Sequence, residues 1–195
     1  MLILTIGLLL FLGAHSVRIF AEGWRTRAIA RIGAGPWKGA YTLVSLLGFG
    51  LIIWGFGLAR QQPVVLWQPP VALKHLNSLF TLMAFVLLLA AYVPGNWFKA
   101  RVHHPMVVGV KLWAFGHLLA TATLADAVLF GAFVAWAVLD FRAARQRDRA
   151  QGTVYAPGRP IPTVITVVIG CVAWAVFALW LHARWIGVAP FGAAM

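Results

Sequence analysis

HHPMVVGVKLWAFGHLLA, His103 to Ala120, decides the fold and holds three of the six histidines in the chain. Pro105 suits the first turn of a helix, where its missing N–H costs nothing. From Met106 onward the segment reads as a membrane-spanning helix. His117 sits well inside it, between Gly116 and Leu118. An ionisable group at membrane depth is costly unless it is paired or liganded, so it points to function. The competing reading is a neutral imidazole hydrogen-bonded to a carbonyl on a neighbouring helix.

The rest of the chain has the same character. It is 195 residues long and 62% hydrophobic, with ten Trp, a net charge of +12 and 16 Lys+Arg against 4 Asp+Glu. The mean hydropathy is +0.87. Apolar runs of roughly 18 residues or more can cross a ~30 Å hydrocarbon core. The reading is an all-α polytopic helix bundle with six transmembrane helices, forming a single transmembrane domain over residues 1–195. The spans are placed at about 2–20, 39–59, 71–93, 105–122, 124–141 and 163–186, with a short apolar tail. GAGPW, Gly33 to Trp37, reads as a break before the second span. The start has no basic n-region or clear cleavage site, so the first span is expected to stay.

The charge lies between the spans. The first, third and fifth loops carry Arg18, Arg25, Arg27, Arg31, Lys38, Lys99, Arg101, Arg142, Arg145, Arg147, Arg149 and Arg159, against Arg60, Lys74 and Arg184 elsewhere. This pattern signals topology and anionic lipid contact rather than nucleic acid binding. By the positive-inside rule both termini face the outer, periplasmic side of a bacterial inner membrane. Gly48, Gly50, Gly55 and Gly57 lack the Lys-Ser/Thr of a phosphate loop and read as helix-packing positions.

Few residues can do chemistry. Single Cys171 excludes an intrachain disulfide and a cysteine-cluster metal site within one chain. Glu22 and Asp148 read as salt-bridge partners in basic loops, Asp140 lies beside Arg142 at a helix end, and Asp126 suits a helix N-terminus. Lys111 can snorkel to the interface or stand near an anionic cofactor group.

The histidines remain. His15 and His117 are both set in apolar sequence. His117 shares its helix face with Met106, Val110, Trp113 and Thr121, and Thr121 can act as a partner or bond back to its own helix. Gly7 and Ala14 flank His15 as Gly109 and Gly116 flank His117, leaving room for a flat macrocycle or favouring helix packing. Two imidazoles on different helices are what haem b needs for axial ligation. They suit zinc or non-haem iron poorly without a third ligand. Counting ~1.5 Å per residue, His15 lies ~21 Å from the outer start of its span and His117 ~12 Å from the outer face. The ~9 Å mismatch exceeds what an untilted haem spans, and it makes His75, nearer the outer face, a rival partner. His104 and His182 read as capping or interfacial residues.

FLGAHS, the Arg-rich first loop, YTLVSLLGFGLIIWG, LKHL, RVHHPMVVGVKLWAFGHLLA and FGAFVAWAVLDFRAARQRDRA together resemble the NnrU family of membrane proteins. The resemblance runs from the start to about Arg149, and its most specific part is the His-Pro…Leu-Trp…His pattern. Relatives of the family include 15-cis-zeta-carotene isomerase, a haem b protein. The resemblance implies a link to denitrification, in nitrite and nitric oxide metabolism. It implies haem ligands at His15 and His117; Trp113, Arg18 and Lys111 are this chain's further cofactor-binding candidates. The isomerase's sulfur ligand falls on Ala114, which cannot ligate iron, so haem binding carries over further than isomerase activity.

Three readings follow. The first is a haem b protein in electron transfer or NO handling, served by a membrane electron donor or quinone-linked complex. The second is a haem-dependent cis-trans isomerase of a carotenoid-like polyene. The third is a non-enzymatic membrane assembly factor.

Overall fold

The computed structural model describes residues 1–191; residues 192–195 of the expected domain and apolar tail lie outside the described residues. Among the described residues the regular structure is helical: α1 (Leu2–Phe20), α2 (Glu22–Ile32), α3 (Ala34–Ala59), α4 (Val71–Tyr92), α5 (Trp97–Val102), α6 (Pro105–Ala120), α7 (Leu124–Ala150) and α8 (Pro160–Val176). The last of these continues as a π-helical turn, Phe177–Leu181, and ends as a short α segment, His182–Ile186.

Five of these rods are long and apolar enough to cross a membrane: α1, α3, α4, α7 and Pro160–Ile186. Only 17–22% of the residues in their apolar windows are buried within the protein, which leaves apolar faces for lipid. The fourth expected span differs, because α6 is a 16-residue helix. Three boundaries also moved. The first basic loop is a helix, α2. Pro36 falls in the first turn of α3 rather than breaking the chain ahead of it, because first-turn N–H groups need no intrahelical partner. The Arg run after Phe141 continues α7 to Ala150, since Ala, Arg and Gln are good helix formers.

The chain forms two compact units. Unit one comprises Met1–Gln68 and Ala122–Ala144. In it α1 packs along α3, with Leu4, Leu8 and Ile52 buried. A Cβ on Gly7, Gly48 or Gly55 would come within 2.3–2.6 Å of backbone atoms of the facing helix, so these glycines let the two backbones touch. Gly50 and Gly57 meet nothing within 4 Å. Beyond α3, Leu66 N–H donates to Ala122 (2.8 Å) and Leu124 N–H to Val64 (2.9 Å). The start of α7 is capped reciprocally: Thr123 Oγ1 accepts from Asp126 N–H (3.2 Å), while Asp126 Oδ2 accepts from Thr123 N–H (3.1 Å) and Oγ1–H (2.6 Å). Asp126 therefore meets the dipole as its position suggested.

Unit two comprises Pro69–Thr121 and everything from Arg145. Here α4 is central, with α6 and α8 packed on it. Ala84, Ala90 and Ala114 are wholly buried. Gly109 lies against the Ala84 carbonyl and Gly116 against Asn77 and Phe80 of α4. The Trp174 indole N–H donates to Thr81 Oγ1 (3.0 Å). Buried Asn96 pins the α4–α5 corner, accepting from Lys99 N–H (2.8 Å) and donating to the carbonyls of Ala90 (2.8 Å) and Val93 (2.6 Å).

Candidate functional site

His15 and His117 solve the same problem in the same way. The imidazole Nδ1–H of His15 donates to the carbonyl of Phe11 (2.7 Å), and that of His117 to the carbonyl of Trp113 (2.8 Å). The acceptor is one turn back on the same helix in both cases, not on a neighbouring one. A carbonyl can only accept, so Nδ1 carries a proton in each ring, and the neutral tautomer that fits has its lone pair on Nε2. This is the orientation and tautomer in which a histidine ligates a metal.

Their surroundings differ. His15 is walled by Phe11 (ring centroids 4.3 Å), Tyr41 of α3 (5.2 Å) and Trp136 of α7 (6.0 Å, edge-on). The indole Nε1 of Trp136 is buried and has no hydrogen-bond partner, an orphan donor beside the imidazole. On α6, Trp113 lies 5.5 Å from the His117 ring, and Thr121 Oγ1–H donates back to the His117 carbonyl (2.7 Å). Thr121 therefore bonds to its own helix.

The other expected site residues are dispersed. Arg18 Nε is 4.0 Å from Glu22, which also binds Arg25 at 3.0 Å. Lys111 is half-buried on α6, and His75 is exposed on α4. His182 bonds the carbonyl of Val188 (2.7 Å). The glycines flanking the histidines are filled by helix contact: Gly7 by α3, Gly109 and Gly116 by α4.

Among the described residues no group of three or more His, Cys, Asp or Glu side chains is gathered to hold a metal ion. For haem b, each imidazole individually fits the role of axial ligand, and the orphaned indole offers a further donor. Ala114 is wholly buried and its methyl side chain has no ligating atom.

A polar cluster in unit two escaped the sequence. Asp148 Oδ2 accepts from His104 Nε2–H (2.8 Å), Tyr155 O–H (3.1 Å) and Arg145 (3.3 Å). Arg145 also donates to His103 Nδ1, and the His103 ring stacks on Tyr155 at 4.2 Å and 9°. Burial pushes the Tyr155 phenol above its ordinary range, and its bond to Asp148 adds to the effect. His103 has φ 67° and ψ −50°, and His104 N–H reaches the Val102 carbonyl (2.8 Å). That is a γ-turn of the rare, strained hand, held by the stack and the ion pairs. Asp148 is the salt-bridge partner its place among arginines indicated. Nothing in the sequence joined it to Tyr155 or His103.

Long apolar helices with exposed apolar faces define a polytopic helical membrane protein. Residues 3–190 match the family model described as NnrU protein, and the chain belongs to the NnrU family. No curated protein and no solved structure matches it.

Proposed function

We propose that this NnrU-family chain is a b-type haem protein of the bacterial inner membrane, linked to denitrification by electron transfer or NO handling. His15 and His117 would hold the haem iron. The observation that carries the reading is the bond each makes to the carbonyl one turn back, which turns a lone-pair Nε2 outward from two apolar helices. Bound haem would supply one-electron chemistry. Phe11, Tyr41 and Trp136 pack around the His15 imidazole, and Trp113 stands beside that of His117. Lys111 stands on the same helix as His117 and suits an anionic cofactor group, and Arg18 is shared with Glu22. A membrane electron donor or quinone-linked complex is the partner this chemistry requires.

In this reading the chain crosses the membrane six times, with α6 as the fourth crossing. At ~1.5 Å per residue α6 rises ~24 Å, against a ~30 Å core. It therefore crosses with the help of its flanks, or with local thinning of the bilayer. The basic loops face the cytoplasm and both termini the periplasm, by the positive-inside rule.

The test is an absorption spectrum of detergent-purified protein supplied with haem. A Soret band and a reduced six-coordinate b-type spectrum are expected, and both should be lost in His117→Ala. Protein that folds but takes up no haem would leave the assembly-factor reading standing. Turnover of a cis-polyene would favour the isomerase reading, against which Ala114 speaks.

A further inference from the structure

The segment between α1 and α3 is a helix with two unlike faces. Glu22, Arg25, Ala28 and Ile29 are half-buried, and Glu22 bonds Arg25 at 3.0 Å and approaches Arg18 at 4.0 Å. The opposite side presents Trp24, Arg27 and Arg31, spaced i, i+3 and i+7, so that they form one stripe. All three are exposed. The Arg27 guanidinium folds back along this stripe, 3.7 Å from where a Cβ on Gly23 would lie. Trp24 packs edge-on against Trp37 (5.6 Å), which brings Lys38 into the same neighbourhood. Gly33, at φ 87°, ends α2 and lets α3 start in a new direction.

The charge balance on this surface is one-sided. Glu22 is its only carboxylate, and it is already engaged by Arg18 and Arg25. No ion pair joins Arg27, Arg31 or Lys38 to a carboxylate among the described residues. Phe20, Trp24 and Ile32 are 71%, 53% and 52% exposed, so apolar and aromatic groups border the cations. Tryptophans beside unneutralised cations, directly continuous with a membrane-crossing helix, match the boundary between acyl chains and headgroups.

We propose that α2 lies in the membrane interface and holds anionic phospholipid headgroups on Arg27, Arg31 and Lys38, with Trp24 and Trp37 seated at acyl-chain level. The occupant is a lipid rather than a soluble anion, because the same surface pairs phosphate-binding cations with exposed aromatic and aliphatic groups that a free phosphate leaves in water. This surface is independent of the haem assignment.

The full chain is placed in nanodiscs of mixed phosphatidylcholine and phosphatidylglycerol, released gently, and weighed with its retained lipids by native mass spectrometry. Wild type should retain phosphatidylglycerol in preference to phosphatidylcholine. Retention should fall about fivefold for each cation removed in the series Arg27→Gln, Arg31→Gln, Lys38→Gln, and survive Arg27→Lys with Arg31→Lys. Equal retention of the two lipids by wild type overturns the proposal without recourse to any variant. Displacement of phosphatidylglycerol by soluble glycerol phosphate also overturns it, since the site would then be one for free anions. So does preferential retention of nucleic acid.

Discussion

His15 and His117 make the same backbone bond in two different units of the chain. His15 is held from three sides, by rings of α1, α3 and α7. His117 has the Trp113 ring beside it, 5.5 Å away on its own helix. The seams beneath them differ too. Gly48 and Gly55 of α3 meet the backbone of α1, whereas Gly116, next to His117, faces the Asn77 and Phe80 side chains. The same local bond therefore stands beside a backbone contact at Gly55 and a side-chain contact at Gly116.

The largest effect expected concerns the histidines themselves. If both ligate, His15→Ala and His117→Ala should each abolish the low-spin b-type spectrum, while His75→Ala leaves it unchanged. Retention in His15→Ala with loss in His75→Ala would reject His15 as a ligand and end the parallel between the two sites.

The seams come next. Alanine is favoured over glycine by about 1 kcal/mol in a helix, so a loss must come from packing. Gly55→Ala would drive its Cβ to 2.3 Å from the Leu4 nitrogen, with only backbone to yield. It should lower stability by about 1–3 kcal/mol. Gly116→Ala meets Asn77 Oδ1 at 2.5 Å and Phe80 Cβ at 2.9 Å, side-chain atoms with no backbone atom among them, and should cost less. Thermal unfolding in detergent checks the order, and equal losses would erase the contrast.

A smaller effect belongs to the cap of α7. Thr123→Ala removes the bonds shared with Asp126 and should cost about 1 kcal/mol. The smallest concerns unit two. Folding raises the Tyr155 pKa, so its contribution is whole below the ordinary tyrosine value of about 10. It is lost as pH rises through the folded value. An alkaline melting series should show this loss in wild type and not in Tyr155→Phe.

Much of the fold was legible in the sequence because hydrocarbon thickness fixes the length of an apolar run. The ends of α1 and α4 fell within a residue of their expected places. What hydropathy could not see was helix that continues into charge. EGWRTRAIARI reads as a loop by polarity, yet its half-buried and exposed residues alternate with helical period. At the site, His15 and His117 stood out because an imidazole in an apolar run is rare. Their bonds one turn back follow from helix geometry that any helical histidine can use. The Asp148 cluster was illegible because it joins His104 to Tyr155 across 51 positions, and side chains so far apart meet only through tertiary packing.

The π-helical turn at Phe177–Leu181 bears on how this chain is compared with its relatives. A π turn holds one residue more than an α turn, and so rotates everything after it by about 100°. Thr166 and Gly170 ahead of it, buried in unit two, and Trp180 and Trp185 in or after it, exposed, belong to different helical phases of one apolar rod. A relative lacking the extra residue would match one phase or the other in an ungapped alignment, never both. The turn is therefore where an insertion or deletion belongs when these sequences are aligned.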